Sequence, residues 1–188
     1  LLNLASLYLP STLLANHYRS KAPELIQFSN EHFYRNQLIC IPEYEHLQRG
    51  KTAFEYWHVA GVWKNQTNEI EAQEVVHRIK QLQPELHKGK TICVATFNFP
   101  QSELIKELLE WHFALSDAMV PEGVLVKNIE NIQGDEADIL IFSVGYAVDE
   151  EGVLRQQFGS LSQAGGENRL NVAITRARER VIIVSSLL

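Results

Sequence analysis

The chain has 188 residues, 45% of them hydrophobic and 21% charged, and a formal net charge of -6. That is enough apolar material to bury the core of one full domain. The acidic balance excludes a protein held on nucleic acid by bulk positive charge, so any such contact must come from a local cluster of side chains.

In chain order, LLNLASLYLP reads as a short helix or turn running to Pro10. It lacks a basic leader, and no run in the chain reaches about 18 apolar residues, so neither a signal peptide nor a membrane partner is expected. The chain starts at Leu1 in mid-pattern, which suggests a fragment of a longer protein. TLLANHYRS follows, and its tail sets Tyr18 beside Arg19 ahead of Pro23. Sequence neighbours diverge on a helix or strand, so these two can serve one ligand only from a loop or element end. There tyrosine offers a stacking face and arginine a fork for phosphate.

PELIQFSNEHFYRN reads as a helix, with Pro23 in its first turn and Leu25, Ile26, Phe28 and Phe33 at its apolar positions. LICIPEY is a short strand or extended exit, and HLQRGKTA is a loop. FEYWHVAGVW is a strand whose Trp57 and Trp63 fit either base stacking or packing within the fold. NQTNEIEAQEVVHRIKQLQPEL opens on a cap at Asn68 and places Ile70, Val75 or Val76, Ile79 and Leu82 at helical spacing. Glu69, Glu71 and Glu74 gather at its amino end, where the helix dipole favours negative charge, so they read as helix stabilisers without a catalytic part. Cys40 and Cys93 lie in apolar contexts with no metal-type spacing, which favours buried thiols and a reducing, cytoplasmic setting.

KTICVATFN is a continuous apolar run of strand length, followed by the amphipathic helix PQSELIKELLEWHFAL. VLVKNIENIQGDEADILIFSVGYA holds two strand-like runs about the turn Gln133 to Glu136. Gly134 there allows close backbone approach, and Glu136 can accept hydroxyl hydrogen bonds. DEEGVLRQQFGSLSQAGGEN reads as a long surface loop. The last motif, RLNVAITRARERVIIVSS, reads as a helix followed by a buried strand VIIVSS. As a helix it sets Arg169, Arg176 and Arg180 within about 40° of one another, suited to phosphate or simply to solvent, and turns Arg178 about 160° away from Arg176. On that geometry Arg178 cannot share a phosphate with Arg176.

Strands alternating with helices predict an α/β fold, with a mainly parallel sheet covered by helices on both faces. No G-x-x-x-x-G-K-[ST] phosphate loop occurs in the chain.

Four segments together resemble one family. NHYRSKAPELIQFSNEHFY is similar to motif IV of superfamily I DNA/RNA helicases, written Q-Y-R-x-x-P, with His17 in place of the glutamine. ATFNFPQSELIKELL is similar to the T-P-Y-x-x-Q segment, with Phe97 and Asn98 replacing proline and tyrosine. VKNIENIQGDEADILIFS resembles motif V with its Q-G-x-E core, and RLNVAITRARERVIIV resembles motif VI almost letter for letter. The order and spacing of the segments are the family's, in the branch containing the Upf-type helicases.

The resemblance implies that residues 1–188 form the second, C-terminal RecA-like motor domain, a three-layer P-loop NTPase-type fold. ATP would lie between it and a preceding RecA-like domain of the same protein, which would also supply the magnesium ligands. By motif, Tyr18 would stack at the adenine, and Arg19 and Arg176 would reach the γ-phosphate as arginine fingers. Gly134 and Glu136 would line the phosphate and ribose side. Thr96, Asn128 and Ser143 match positions that touch the backbone of single-stranded DNA or RNA. A fragment without the phosphate loop is expected not to hydrolyse ATP alone. The alternative is an adaptor that has lost its motor and only binds nucleic acid or a protein partner.

Overall fold

The computed structural model describes residues 8–10, 12–42, 52–154 and 158–187. Their order is β1 (Asn16–His17), α1 (Glu24–Phe33), β2 (Ile39–Cys40), β3 (Phe54–His58), α2 (Glu69–Gln81), α3 (Gln83–Leu86), β4 (Ile92–Thr96) and α4 (Phe99–Ala114). Then follow β5 (Val124–Asn128), β6 (Ala137–Ser143), α5 (Gly166–Ile174) and β7 (Ala177–Ser185). Five strands make one sheet in the order β3-β7-β6-β4-β5, with every pair parallel. The short β1 and β2 pair with each other, also in parallel. The parallel sheet is the one expected from the alternation of elements, and the arrangement is the RecA-like α/β one that the resemblance implied.

Strand periodicity divides the core between the two faces of the sheet. On one face Ile92, Val94, Ile139, Ile141, Ile182 and Val184 meet Val75 and Ile79 of α2 and Ile105 and Leu109 of α4. On the other, Cys93, Ala95, Leu140, Phe142 and Val181 meet Leu25 of α1, Ala173 of α5 and Ile129 and Ile132 of the connection between β5 and β6. β6 is buried along its whole length, and its sequence is apolar but for Asp138 and Ser143, whose side chains are bonded within the fold. Helix starts follow local chemistry. The side chains of Asn68 and Asn98 accept hydrogen bonds from Glu71 N–H and Gln101 N–H, at 3.2 and 3.0 Å.

The last motif departs from the reading given by its periodicity. α5 ends at Ile174, Thr175 and Arg176 form a turn, and Ala177 already pairs with Ala137 as the first residue of the nine-residue β7. The pattern was ambiguous for a physical reason: Ala177 and Val181, four apart, share a face on a helix and on a strand alike. Pairing with β6 and β3 on its two sides decided for the strand. Arg178 and Arg180 therefore lie on β7, where a register irregularity falls between Ala177 and Arg180, and the helical exclusion of Arg178 from Arg176's surroundings does not hold.

Other expectations also met tertiary contacts. The guanidinium of Arg78 lies 3.3 Å over Trp57, and Trp63 stacks on Tyr146 with centroids 4.6 Å apart, so both tryptophans are engaged within the fold. The surface loop expected after Ala147 contains a Val148–Leu154 bridge and a helical turn at Gly159–Ser162. The opening helix or turn and most of the loop before β3 lie outside the described residues. Among the described residues, no helix is long and apolar enough to cross a membrane.

Candidate nucleotide site at the amino ends of the central strands

Charged residues collect where β6 and β7 begin, and backbone bonds bring the N-terminal segment to them. Lys21 N–H donates to the Arg178 carbonyl at 2.7 Å, and the Ser20 hydroxyl donates to the Ala177 carbonyl at 3.3 Å. His17 Nε2 accepts from Ser20 N–H at 3.1 Å. Burial first, and the Arg19 charge second, hold the His17 pKa below its ordinary value, which keeps that nitrogen free to accept. His17 thus fastens the turn that presents its neighbour.

Arg19 emerges from this turn with Nε 3.0 Å from Glu136 Oε2 and Nη1 3.4 Å from the Thr175 carbonyl. The other Glu136 oxygen accepts from Arg178 Nη2. Hydrogen bonds from Arg178 and then from Arg19 hold the Glu136 carboxyl below the usual carboxylate range, so it stays ionised at neutral pH.

Arg176 sits in the turn that ends α5, and its Nε donates to the Val172 carbonyl at 2.8 Å. Burial, followed by the nearby Arg19 charge, lowers its pKa. Arg19 and Arg176 thus lie within electrostatic reach of each other and of Glu136, an arrangement of guanidinium groups suited to an anion. Gly134, at φ 97°, makes the turn ahead of Glu136, and no atom lies within 4 Å of where its Cβ would stand. Tyr18 stands next to Arg19 with 89% of its surface exposed.

Thr96, Asn128 and Ser143 are brought together, but at the other end of the sheet. Thr96 is in register with both Asn128 and Ser143 at the carboxyl ends of their strands. β6 has seven residues, so these positions lie roughly 20 Å from Glu136 along the strand. All three are buried and bonded within the fold. The Thr96 hydroxyl donates to the Asn98 carbonyl at 2.7 Å, and the Asn128 side chain accepts from Asn131 N–H at 3.1 Å. The Ser143 hydroxyl donates to Glu71 Oε1 at 2.8 Å.

Glu71 lies in the first turn of α2, where its reading as a helix stabiliser put it, and its burial is what the fold adds. Its neighbours Glu69 and Glu74 remain at the helix surface, but Glu71 is fully buried and also accepts from Gly145 N–H at 2.6 Å. Burial pushes its pKa up to about 7, against the opposing effect of these hydrogen bonds. Gln101 links the same cluster, donating to the Ser143 hydroxyl at 3.2 Å and accepting from Asn68 N–H at 2.8 Å. Sequence reasoning also missed Arg178 and its second partner Asp138, whose carboxylates and guanidinium fall into place once Arg178 is put on a strand. Strand alternation across Arg176, Arg178 and Arg180 was the available signal.

The family model described as an AAA domain matches residues 2–187. The chain belongs to the AAA domain family. Over 179 residues it is 42% identical to the protein of Mycoplasma genitalium called uncharacterized ATP-dependent helicase MG140, covering 90% of this chain. It is 41% identical over 180 residues to the homolog of that protein in Mycoplasma pneumoniae, again over 90% of this chain. The chain spans 16% of the length of each of these curated relatives. In fold it is similar to a crystal structure described as the C-terminal domain of a possible DNA helicase from Lactobacillus plantarum, with TM-score 0.53 and 15% identity. That match covers 89% of this chain and 86% of the other. Homology to proteins named ATP-dependent helicases agrees with the resemblance carried by motifs IV, V and VI.

Proposed function

We propose that this domain is the C-terminal motor half of an ATP-dependent helicase, closing on nucleotide held by a preceding RecA-like domain and moving along single-stranded DNA or RNA. The observation that carries the reading is the gathering of Arg19 and Arg176 about Glu136 at the amino ends of β6 and β7. Arg19 and Arg176 act on the γ-phosphate, where phosphoryl transfer depends on positioning and on stabilising charge. Tyr18 stacks at the adenine, and Gly134 and Glu136 line the phosphate and ribose. The guanidinium groups gathered here are donors suited to ATP phosphates, and Glu136 is paired with two of them, so the carboxylates that hold magnesium are assigned to the preceding domain. ATP hydrolysis accordingly needs both domains.

Single-strand contact belongs to the opposite end of the sheet. Thr96, Asn128 and Ser143 hold the loops that leave β4, β5 and β6, and those loops meet the phosphate backbone. The connection from Asn128 to Glu136 runs between the two ends, and its buried Ile129 and Ile132 keep it against the sheet.

Arg176→Ala in the full-length protein tests the nucleotide reading. Nucleic-acid-stimulated ATP hydrolysis is expected to fall by about 10³ to 10⁵, the usual effect of losing an arginine finger. Undiminished hydrolysis would overturn the assignment.

A further inference from the structure

We propose that Arg178 is a positioning residue for nucleotide selection, holding the Glu136 carboxylate where it accepts a ribose hydroxyl of ATP. This rests on the reading of the site given above. Arg178 belongs to the second residue of β7, and its carbonyl is fixed by Lys21 N–H. Its guanidinium bridges two carboxylates on β6 and its approach. Nη2 meets Glu136, and Nη1 lies 3.8 Å from Asp138 Oδ1. Asp138 is itself held, because its Oδ2 accepts from Thr91 N–H at 2.9 Å and from the Thr91 hydroxyl at 3.0 Å. A continuous chain of contacts thus runs from the start of β4, through buried Asp138 and Arg178, to Glu136.

Arg19 holds Glu136 less firmly. It stands on a turn outside the sheet, and among the described residues its other bond is the 3.4 Å contact to the Thr175 carbonyl. When Arg19 turns to a γ-phosphate, Arg178 keeps Glu136 in place. An ionised carboxylate has about four acceptor positions, so Glu136 can take a hydroxyl while its contact with Arg178 persists. Arg178 also offsets the repulsion between Glu136 and the triphosphate, which would otherwise drive the carboxylate away from the sugar.

The test is steady-state hydrolysis by the full-length protein with ATP, 2′-deoxy-ATP and 3′-deoxy-ATP. Wild type is expected to show a KM at least about tenfold lower for ATP than for one of the two analogues, the value of a hydrogen bond to a charged group. Arg178→Ala should raise KM for ATP by about that factor, leave KM for the disfavoured analogue nearly unchanged, and change kcat little. Glu136→Ala should erase the same preference, and the double variant should lose no more than either single one. Arg178→Lys retains a positive charge without the bridging fork, should restore part of the preference, and replaces the alanine variant if that one fails to fold.

Full discrimination in Arg178→Ala, or no discrimination in wild type, overturns the proposal. If Arg176→Ala leaves hydrolysis undiminished, the nucleotide reading itself falls. If Arg176→Ala abolishes hydrolysis and Arg178→Ala keeps the preference for ATP, the role of Arg178 alone falls.

Discussion

The two ends of the parallel sheet use polar residues in opposite ways. At the amino ends, Arg19, Arg178 and Glu136 form ion pairs open to solvent, and such pairs are weak as stabilising elements because water screens them. The pair of Arg19 with Glu136 can therefore be given up to a ligand at low cost, while Arg178 keeps its bridge between Glu136 and Asp138. At the carboxyl ends, Asn68, Glu71, Gln101 and Ser143 are buried and bonded to one another, where each lost partner leaves an unsatisfied group in a dry setting. The difference separates a place built to exchange partners from a place built to keep them. Under the proposed function, the first end takes the nucleotide and the second fixes the loops on which a strand of nucleic acid would bear.

The widest separation between the two ends is expected from Arg176→Ala. It should remove nearly all hydrolysis while leaving the thermal midpoint almost unmoved. A large fall in stability would show that the amino end is also structural and would break the comparison.

Next in size is the pH dependence of stability set by Glu71. Its folded pKa is about 7, against an ordinary value of 4.5. The folded state therefore favours the protonated acid. Stability from this group is greatest below the ordinary value, declines as pH rises towards 7, and levels off above it. The whole span is worth about 3 kcal/mol at 1.36 kcal/mol per pH unit. Urea denaturation from pH 5 to 8 should show this decline, and Glu71→Gln should flatten it. An undiminished slope in the variant would assign the titration to another group.

Gly61 sharpens the same point sterically. A Cβ there would stand 2.1 Å from the Asn68 side-chain oxygen. Gly61→Ala should displace the Asn68 cap and cost about 1 to 3 kcal/mol in denaturant unfolding, with the KM for ATP retained. A raised KM with unchanged stability would contradict the division of labour.

The smallest effect on stability is expected from Glu136→Gln. Exposed pairs of this kind contribute about 0 to 1 kcal/mol, so its melting curve should lie close to that of wild type even though its carboxylate serves two arginines. A loss as large as that of Gly61→Ala would place Glu136 among the structural residues.

Much of this molecule was legible without coordinates. The apolar run at Ile92–Thr96 and the strand-like run at Ala137–Ser143 read as strands, and both are strands buried along their length. Asn68 announced its helix by capping chemistry that acts within four residues. The resemblance implied that Arg19 and Glu136 lie near one another, and the fold brings Arg19 to Glu136 across 117 residues.

What the sequence left open were the choices that depend on distant partners. Ala177 and Val181 satisfy helix and strand periodicity equally, and only the neighbours β6 and β3 made that segment a strand and put Arg178 beside Glu136. Glu71 had the local signature of a surface carboxylate at a helix start. Its burial was decided by Ser143 and Gly145, more than 70 residues away, whose hydroxyl and N–H its carboxylate accepts. Local propensity and motif spacing are written in short windows of sequence. Strand pairing, burial and the environment of a charge are properties of the packed sheet, because they depend on atoms that the chain brings close only when it folds.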